Sequence, residues 1–113
     1  MAGRAAFNLM ASGNLSRPLE SNLEQKVVEY SNERGVLSLK LNVLGRVGWP
    51  DRLFLYKGRV LFIEFKRQGE KPRKLQEYVH NQLRNQGFCV VVVDNFSQGY
   101  ARIDDLTQGR PVV

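Results

Sequence analysis

The sequence predicts an α/β domain, with a mixed central β-sheet flanked by helices. Three observations carry that reading. Apolar residues recur at helical spacing in two separate stretches, one near residues 19–30 and one near 75–83. Between them lie two short apolar runs joined by Lys57-Gly58, a pair suited to a tight hairpin turn. After the second helical stretch, residues 88–93 are a nearly unbroken apolar run. A hairpin is antiparallel by construction, whereas a strand reached from it through a helical crossover lies parallel, so the sheet contains both orientations.

The elements follow in order. Residues 1–17 are rich in Ala, Gly, Asn and Ser, lack acidic residues and show no sustained period, which predicts a flexible or partner-ordered arm ahead of a domain at 18–113. A first helix begins near Pro18. Leu19, Leu23, Val27 and Tyr30 form its apolar stripe, Lys26, Glu29 and Glu33 fall opposite, and Gly35 stops it. Residues 36–41 alternate apolar with polar as a strand does, and 42–50 form a loop with Gly45, Gly48 and Pro50. Strands at 52–56 and 59–66 flank the Lys57-Gly58 turn. Pro72 opens a second helix whose Leu75, Tyr78, Val79 and Leu83 share a face, and Gly87 closes it. The run 88–93 suits a central strand buried on both faces. Beyond Asp94 the signals are weak.

Composition narrows the function. A chain of 113 residues with 42% hydrophobic content builds one domain and one modest core. Seventeen Lys and Arg against 11 Asp and Glu favour a polyanionic partner. A single cysteine, Cys89, excludes an internal disulfide, and no Cys/His spacing suits structural zinc. With no signal-like or membrane-length apolar segment, the expectation is a soluble, cytoplasmic protein.

The chemistry is concentrated in the hairpin. Glu64 and Lys66 stand two apart on one strand and project from the same face, beside Val60 and Phe62. An acid and a base among Leu61, Phe62, Ile63 and Phe65 are costly to bury unless paired or serving a metal. Hairpin pairing brings Asp51, at the start of one strand, to the end of its partner, where Glu64 lies. Converging carboxylate oxygens, joined by the Phe65 backbone carbonyl, make a hard-oxygen site suited to Mg²⁺ or Mn²⁺ and to phosphate oxygens. Lys66 is then placed to orient or deprotonate a water and to offset charge on a phosphorane-like transition state. That is the chemistry of phosphodiester hydrolysis.

Pro50-Asp51, a spacer and Glu64-Phe65-Lys66 resemble the PD-(D/E)XK nuclease superfamily. More narrowly, Gly48-Trp49-Pro50-Asp51, the hairpin ending in Ile63-Glu64-Phe65-Lys66, and Gln76 on the next helix resemble the VRR-NUC family over residues 20 to about 94. The resemblance implies a restriction-endonuclease-like core. It also implies a stand-alone, phage-type nuclease that is homodimeric, depends on Mg²⁺ or Mn²⁺ and resolves four-way DNA junctions in a bacterial host. Asp51 and Glu64 match the metal ligands, Lys66 the motif lysine and Gln76 the helix glutamine. Glu24 matches the first-helix glutamate, although Glu20, one turn earlier, is an alternative.

Blander readings stand beside these. Ser21-Asn22-Leu23-Glu24 also fits a capping box, and Gln76 also fits a residue that satisfies backbone groups. His80, a lone helical histidine, reads as a surface residue outside the site. Arg67, Lys71, Arg73 and Lys74 form a basic patch at the start of the second helix, suited to DNA phosphates or to solvent alone. Arg46 and Trp49 are candidate DNA contacts, Trp49 equally a packing residue. Two nicks in a junction from a chain with one site call for a symmetric dimer, with the arm available to build its interface. The rivals are a nuclease of flaps, ends or duplex, and a DNA-binding module without catalysis.

Overall fold

A computed structural model describes residues 20–112, and the predicted N-terminal arm lies outside the described residues. The elements run α1 (Glu20–Glu33), β1 (Leu37–Lys40), β2 (Arg52–Tyr56), β3 (Arg59–Phe65), α2 (Lys74–Asn85), β4 (Cys89–Val93) and α3 (Phe96–Thr107). The sheet order is β1-β2-β3-β4, antiparallel over the first three strands and parallel between β3 and β4. This is the mixed α/β sheet that the hairpin and the helical crossover predict. No helix among the described residues is long and apolar enough to cross a membrane.

Lys57 and Gly58 have φ of 46° and 83°. Both central turn residues are left-handed, as a two-residue turn matched to strand twist requires. The turn fixes the register at Tyr56↔Arg59, so Arg52 faces Ile63 and Asp51 comes level with the end of β3. Beyond Phe65 one more ladder bond persists, from Lys66 N–H to the Val93 carbonyl at 3.0 Å, although the strand closes a residue short of the expected 66.

Strand alternation divides the interior. On one face Phe54, Leu61, Ile63, Phe65, Val91 and Val93 pack against Leu23 and Val27 of α1 and Ile103 and Leu106 of α3. On the other, Phe62 and Val90 pack with Val79 and Leu83 of α2, joined by Leu41, Trp49, Leu53 and Val60. Glu64 belongs to this second face.

Four expectations are corrected. The apolar strand β4 is at the sheet's edge, not its centre; it is rich in valine because helices cover both its faces. α2 begins at Lys74 with Arg73 as its cap, not at Pro72, and its inward face is Gln76, Val79, His80 and Leu83. Leu75 and Tyr78 are 48% and 61% exposed because the Gln76, Val79, His80 and Leu83 face turns to the sheet, and Leu75 lies instead beside Gly48. Leu37 and Leu39, on β1 at the edge of the sheet among the described residues, are 58% and 43% exposed despite their alternating pattern.

The tail folds as α3. Asn95 caps it, its side chain accepting from Gln98 N–H at 2.8 Å, and Phe96, Tyr100, Ile103 and Leu106 follow at helical spacing. Gly99 interrupts that pattern for a reason of packing. A Cβ there would sit 2.5 Å from Val27 Cγ2, so the glycine lets α3 lie directly against α1.

Candidate active site

The site forms where β2 begins and β3 ends. Asp51 is pinned from two sides: its Oδ2 accepts from Phe65 N–H at 2.8 Å, and its carbonyl accepts from Leu41 N–H at 3.0 Å. Burial pushes the Asp51 carboxyl up to about 6, a rise opposed by the Phe65 N–H and increased by the negative charges of Glu64 and Glu24. Continuing the β2–β3 register past Arg52↔Ile63 sets Asp51 opposite Glu64, so the two acids share one end of the hairpin.

Glu64 projects from the sheet under α2 and is only 2% exposed. Its Oε2 accepts from Gln76 Nε2 at 3.0 Å and lies 3.7 Å from the Lys66 ammonium, which is itself largely buried. The two-residue spacing therefore brings acid and base together as expected. The Gln76 Oε1 also accepts from Arg73 N–H at 2.8 Å and completes the head of α2, so the side chain satisfies a backbone group while meeting Glu64.

Glu24 reaches in from α1. Its Oε2 takes the Lys40 ammonium at 2.8 Å and Arg52 Nε at 2.6 Å. The capping-box reading does not hold, since the helix is already under way at Glu20 and Ser21. Glu20 and Glu24 both border a cleft of about 360 Å³ together with Ser21, Lys40, Asp51 and Arg67. Asp51 and the α1 acids thus line this cleft, while Glu64, Lys66 and Gln76 form a buried cluster at the end of β3.

Trp49 packs against the α2-side core, with its indole N–H buried and unbonded, and the exposed Arg46 lies 5.8 Å over its ring. Arg67, Lys71, Arg73 and Lys74 are all exposed around the head of α2, and Arg67 extends to the cleft.

Two residues of this neighbourhood escape sequence reasoning. Arg52, the inward neighbour of Asp51, anchors Glu24, and strand alternation beside the Pro-Asp pair is the signal for it. His80 is corrected from surface to core. It is 1% exposed, with Nε2 3.8 Å from Glu64 Oε1. The signal for it is its spacing of four from Gln76, which places both on the face of Val79 and Leu83.

Among the described residues, no three His, Cys, Asp or Glu side chains gather into a ready-made metal cage. The donors present suit an ion that needs no cage. Mg²⁺ and Mn²⁺ take oxygen donors, and Mg²⁺ keeps several waters and is commonly held by one or two carboxylates. Asp51 and Glu64 supply two. Asp51 is raised by burial and by its acidic neighbours in the way a nearby cation would reverse.

The chain matches no protein-family profile. It is 36% identical over 77 residues to "Putative nuclease p44" of Acyrthosiphon pisum secondary endosymbiont phage 1, a match covering 67% of this chain and 83% of that protein. A solved structure described as a VRR_NUC domain superposes with a TM-score of 0.71 at 33% identity, covering 75% of this chain and 94% of that one. With the Pro-Asp and Glu-x-Lys elements joined at the end of the β2–β3 hairpin in the same fold, the chain belongs to the VRR-NUC family of nucleases.

Proposed function

We propose that the protein is a metal-dependent, structure-specific DNA endonuclease that resolves four-way (Holliday) junctions as a homodimer. The observation that carries the nuclease reading is the meeting of β2 and β3. There Asp51 is fixed by Phe65 N–H, and Glu64 lies beside it with Lys66 and Gln76 on one oxygen.

Asp51, Glu64 and the Phe65 carbonyl are the groups to hold Mg²⁺ or Mn²⁺, which when bound supplies Lewis acidity toward the scissile phosphate. Lys66 orients the attacking water and offsets charge on the phosphorane-like transition state. Gln76 holds the Glu64 carboxylate in place. Glu24 is the first-helix acid, kept at the cleft by Lys40 and Arg52. Arg46, Trp49, Arg67, Lys71, Arg73 and Lys74 are the DNA-contacting group. The four basic residues at the head of α2 stand beside free backbone N–H groups, a setting that favours phosphate.

The dimer is supported by arithmetic and by surface. Each chain carries one site and a junction needs two nicks, which a two-fold pair provides. Among the described residues β1 is an edge strand with Leu37 and Leu39 exposed, a surface that self-association would cover. The working place of such an enzyme is the cytoplasm of a bacterial host.

The test is cleavage of a synthetic four-way junction beside matched linear duplex, single strand and flap, with Mg²⁺, Mn²⁺ or EDTA, and with mass in solution measured in parallel. Paired symmetric nicks confined to the junction, from a dimer, are expected. Cleavage of flaps or ends, or a strict monomer, would remove the junction role while keeping the nuclease. Absence of metal-dependent cleavage on every substrate would leave a binding module.

A further inference from the structure

Two buried polar atoms between β3 and α2 have no hydrogen-bond partner, and they face each other. They are Glu64 Oε1 and His80 Nε2, 3.8 Å apart. Burial without a bond is unfavourable for both, and the pair is within reach of curing it. A shift of roughly 0.8 Å brings the distance to that of an ordinary N–H···O bond. The carboxylate's other oxygen is already occupied by Gln76 and faced by Lys66. Gln76 and His80 lie one turn apart on the inward face of α2, so the helix presents one donor to each oxygen of Glu64.

We propose that His80 is a positioning residue for the site: its Nε2–H donates to Glu64 Oε1 and, with Gln76 on Oε2, fixes the plane of the carboxylate. The inference rests on Glu64 being a metal ligand. A carboxylate held by both oxygens keeps its remaining lone pairs aimed in one direction, which lowers the reorganisation needed when a cation arrives. With an apolar residue at position 80, the carboxylate pivots about the Gln76 bond and its aim is lost.

His80 is the only histidine in the chain, so its imidazole resonances are unambiguous. In ¹⁵N-labelled wild-type protein, the Nε2 site is expected to carry the proton, and the imidazole signals to move on titration with Mg²⁺ and on Glu64→Gln. Mn²⁺ affinity, read by electron paramagnetic resonance of the free ion, is expected to weaken about 10- to 100-fold in His80→Leu. His80→Gln, which keeps a donor within reach, should recover most of the loss. A purely structural histidine would cost stability on replacement by leucine without changing Mn²⁺ affinity.

Imidazole signals indifferent to Mg²⁺ overturn the proposal, as does His80→Leu binding Mn²⁺ like wild type. If His80→Leu fails to fold, the wild-type imidazole response decides. Wild-type protein that binds no Mn²⁺ removes the metal role of Glu64 and the proposal with it. Binding that is lost in Asp51→Asn but untouched in His80→Leu removes only the proposal.

Discussion

Asp51→Asn in metal-free protein should stabilise the fold, and the gain should depend on pH. Burial and two neighbouring carboxylates lift Asp51 from 3.8 in the unfolded chain to about 6 in the folded one. The native state therefore binds the proton more tightly, and stability falls as pH rises from about 4 through about 6, then stays low. At about 1.4 kcal/mol per pH unit the difference is worth roughly 3 kcal/mol. Asp51 is only partly buried, so solvent screening reduces this to about 1–2 kcal/mol. Asparagine keeps an acceptor for Phe65 N–H, although a neutral acceptor bonds less strongly than a carboxylate and returns part of the gain. Urea unfolding in EDTA is then expected to show the variant about 1 kcal/mol more stable than wild type at pH 7.5 and level with it near pH 4. Added Mg²⁺ should narrow or reverse the gap by stabilising wild type alone. A variant less stable than wild type at pH 7.5, or a gap that ignores pH, would refute the electrostatic account of Asp51.

Three further outcomes rest on the packing and the surface. Gly99→Ala places a Cβ 2.5 Å from Val27 Cγ2 and should cost about 1–3 kcal/mol in denaturant unfolding, partly restored by adding Val27→Ala. Gln76→Ala strips a donor from Glu64 and an acceptor from Arg73 N–H, so a loss of about 1–3 kcal/mol is expected by unfolding, with cleavage down about 10-fold or more per folded molecule. Combined Lys71→Ala and Lys74→Ala should weaken binding equally for unrelated DNA sequences and flatten the salt dependence by about 0.9 for each phosphate no longer neutralised, measured by anisotropy across a salt series.

Much of the site is legible in the sequence because it depends on local rules. Lys57-Gly58 fixes a two-residue turn, the turn fixes the register, and the register brings Asp51 to Glu64 without any long-range information. The alternation that pairs Glu64 with Lys66 is equally local, and the rise of Asp51 to about 6 is the electrostatic trace of the resulting burial and crowding. What stays hidden depends on which surface covers which. β4 reads as central because its valines are covered twice, yet coverage by helices and coverage by strands leave the same apolar run. The inward face of α2 is rotated from the one its most apolar residues suggest, because Gln76 and His80 are drawn under the helix to meet a buried carboxylate. A polar residue is placed inward there by its partner, and the partner is twelve or more positions away in the chain. α3 is masked in the sequence because Gly99 breaks its pattern for the sake of Val27 on another helix.

The most direct test of the central claim is single-turnover cleavage of a labelled four-way junction in Mg²⁺ by wild type, Asp51→Asn and Lys66→Ala, with DNA affinity measured alongside. Both variants are expected to lose cleavage while binding DNA within a few-fold of wild type, because phosphate contacts from other basic residues would supply most of the affinity. Full cleavage by either variant, or loss of binding in step with loss of cleavage, would contradict an active site built on Asp51, Glu64 and Lys66.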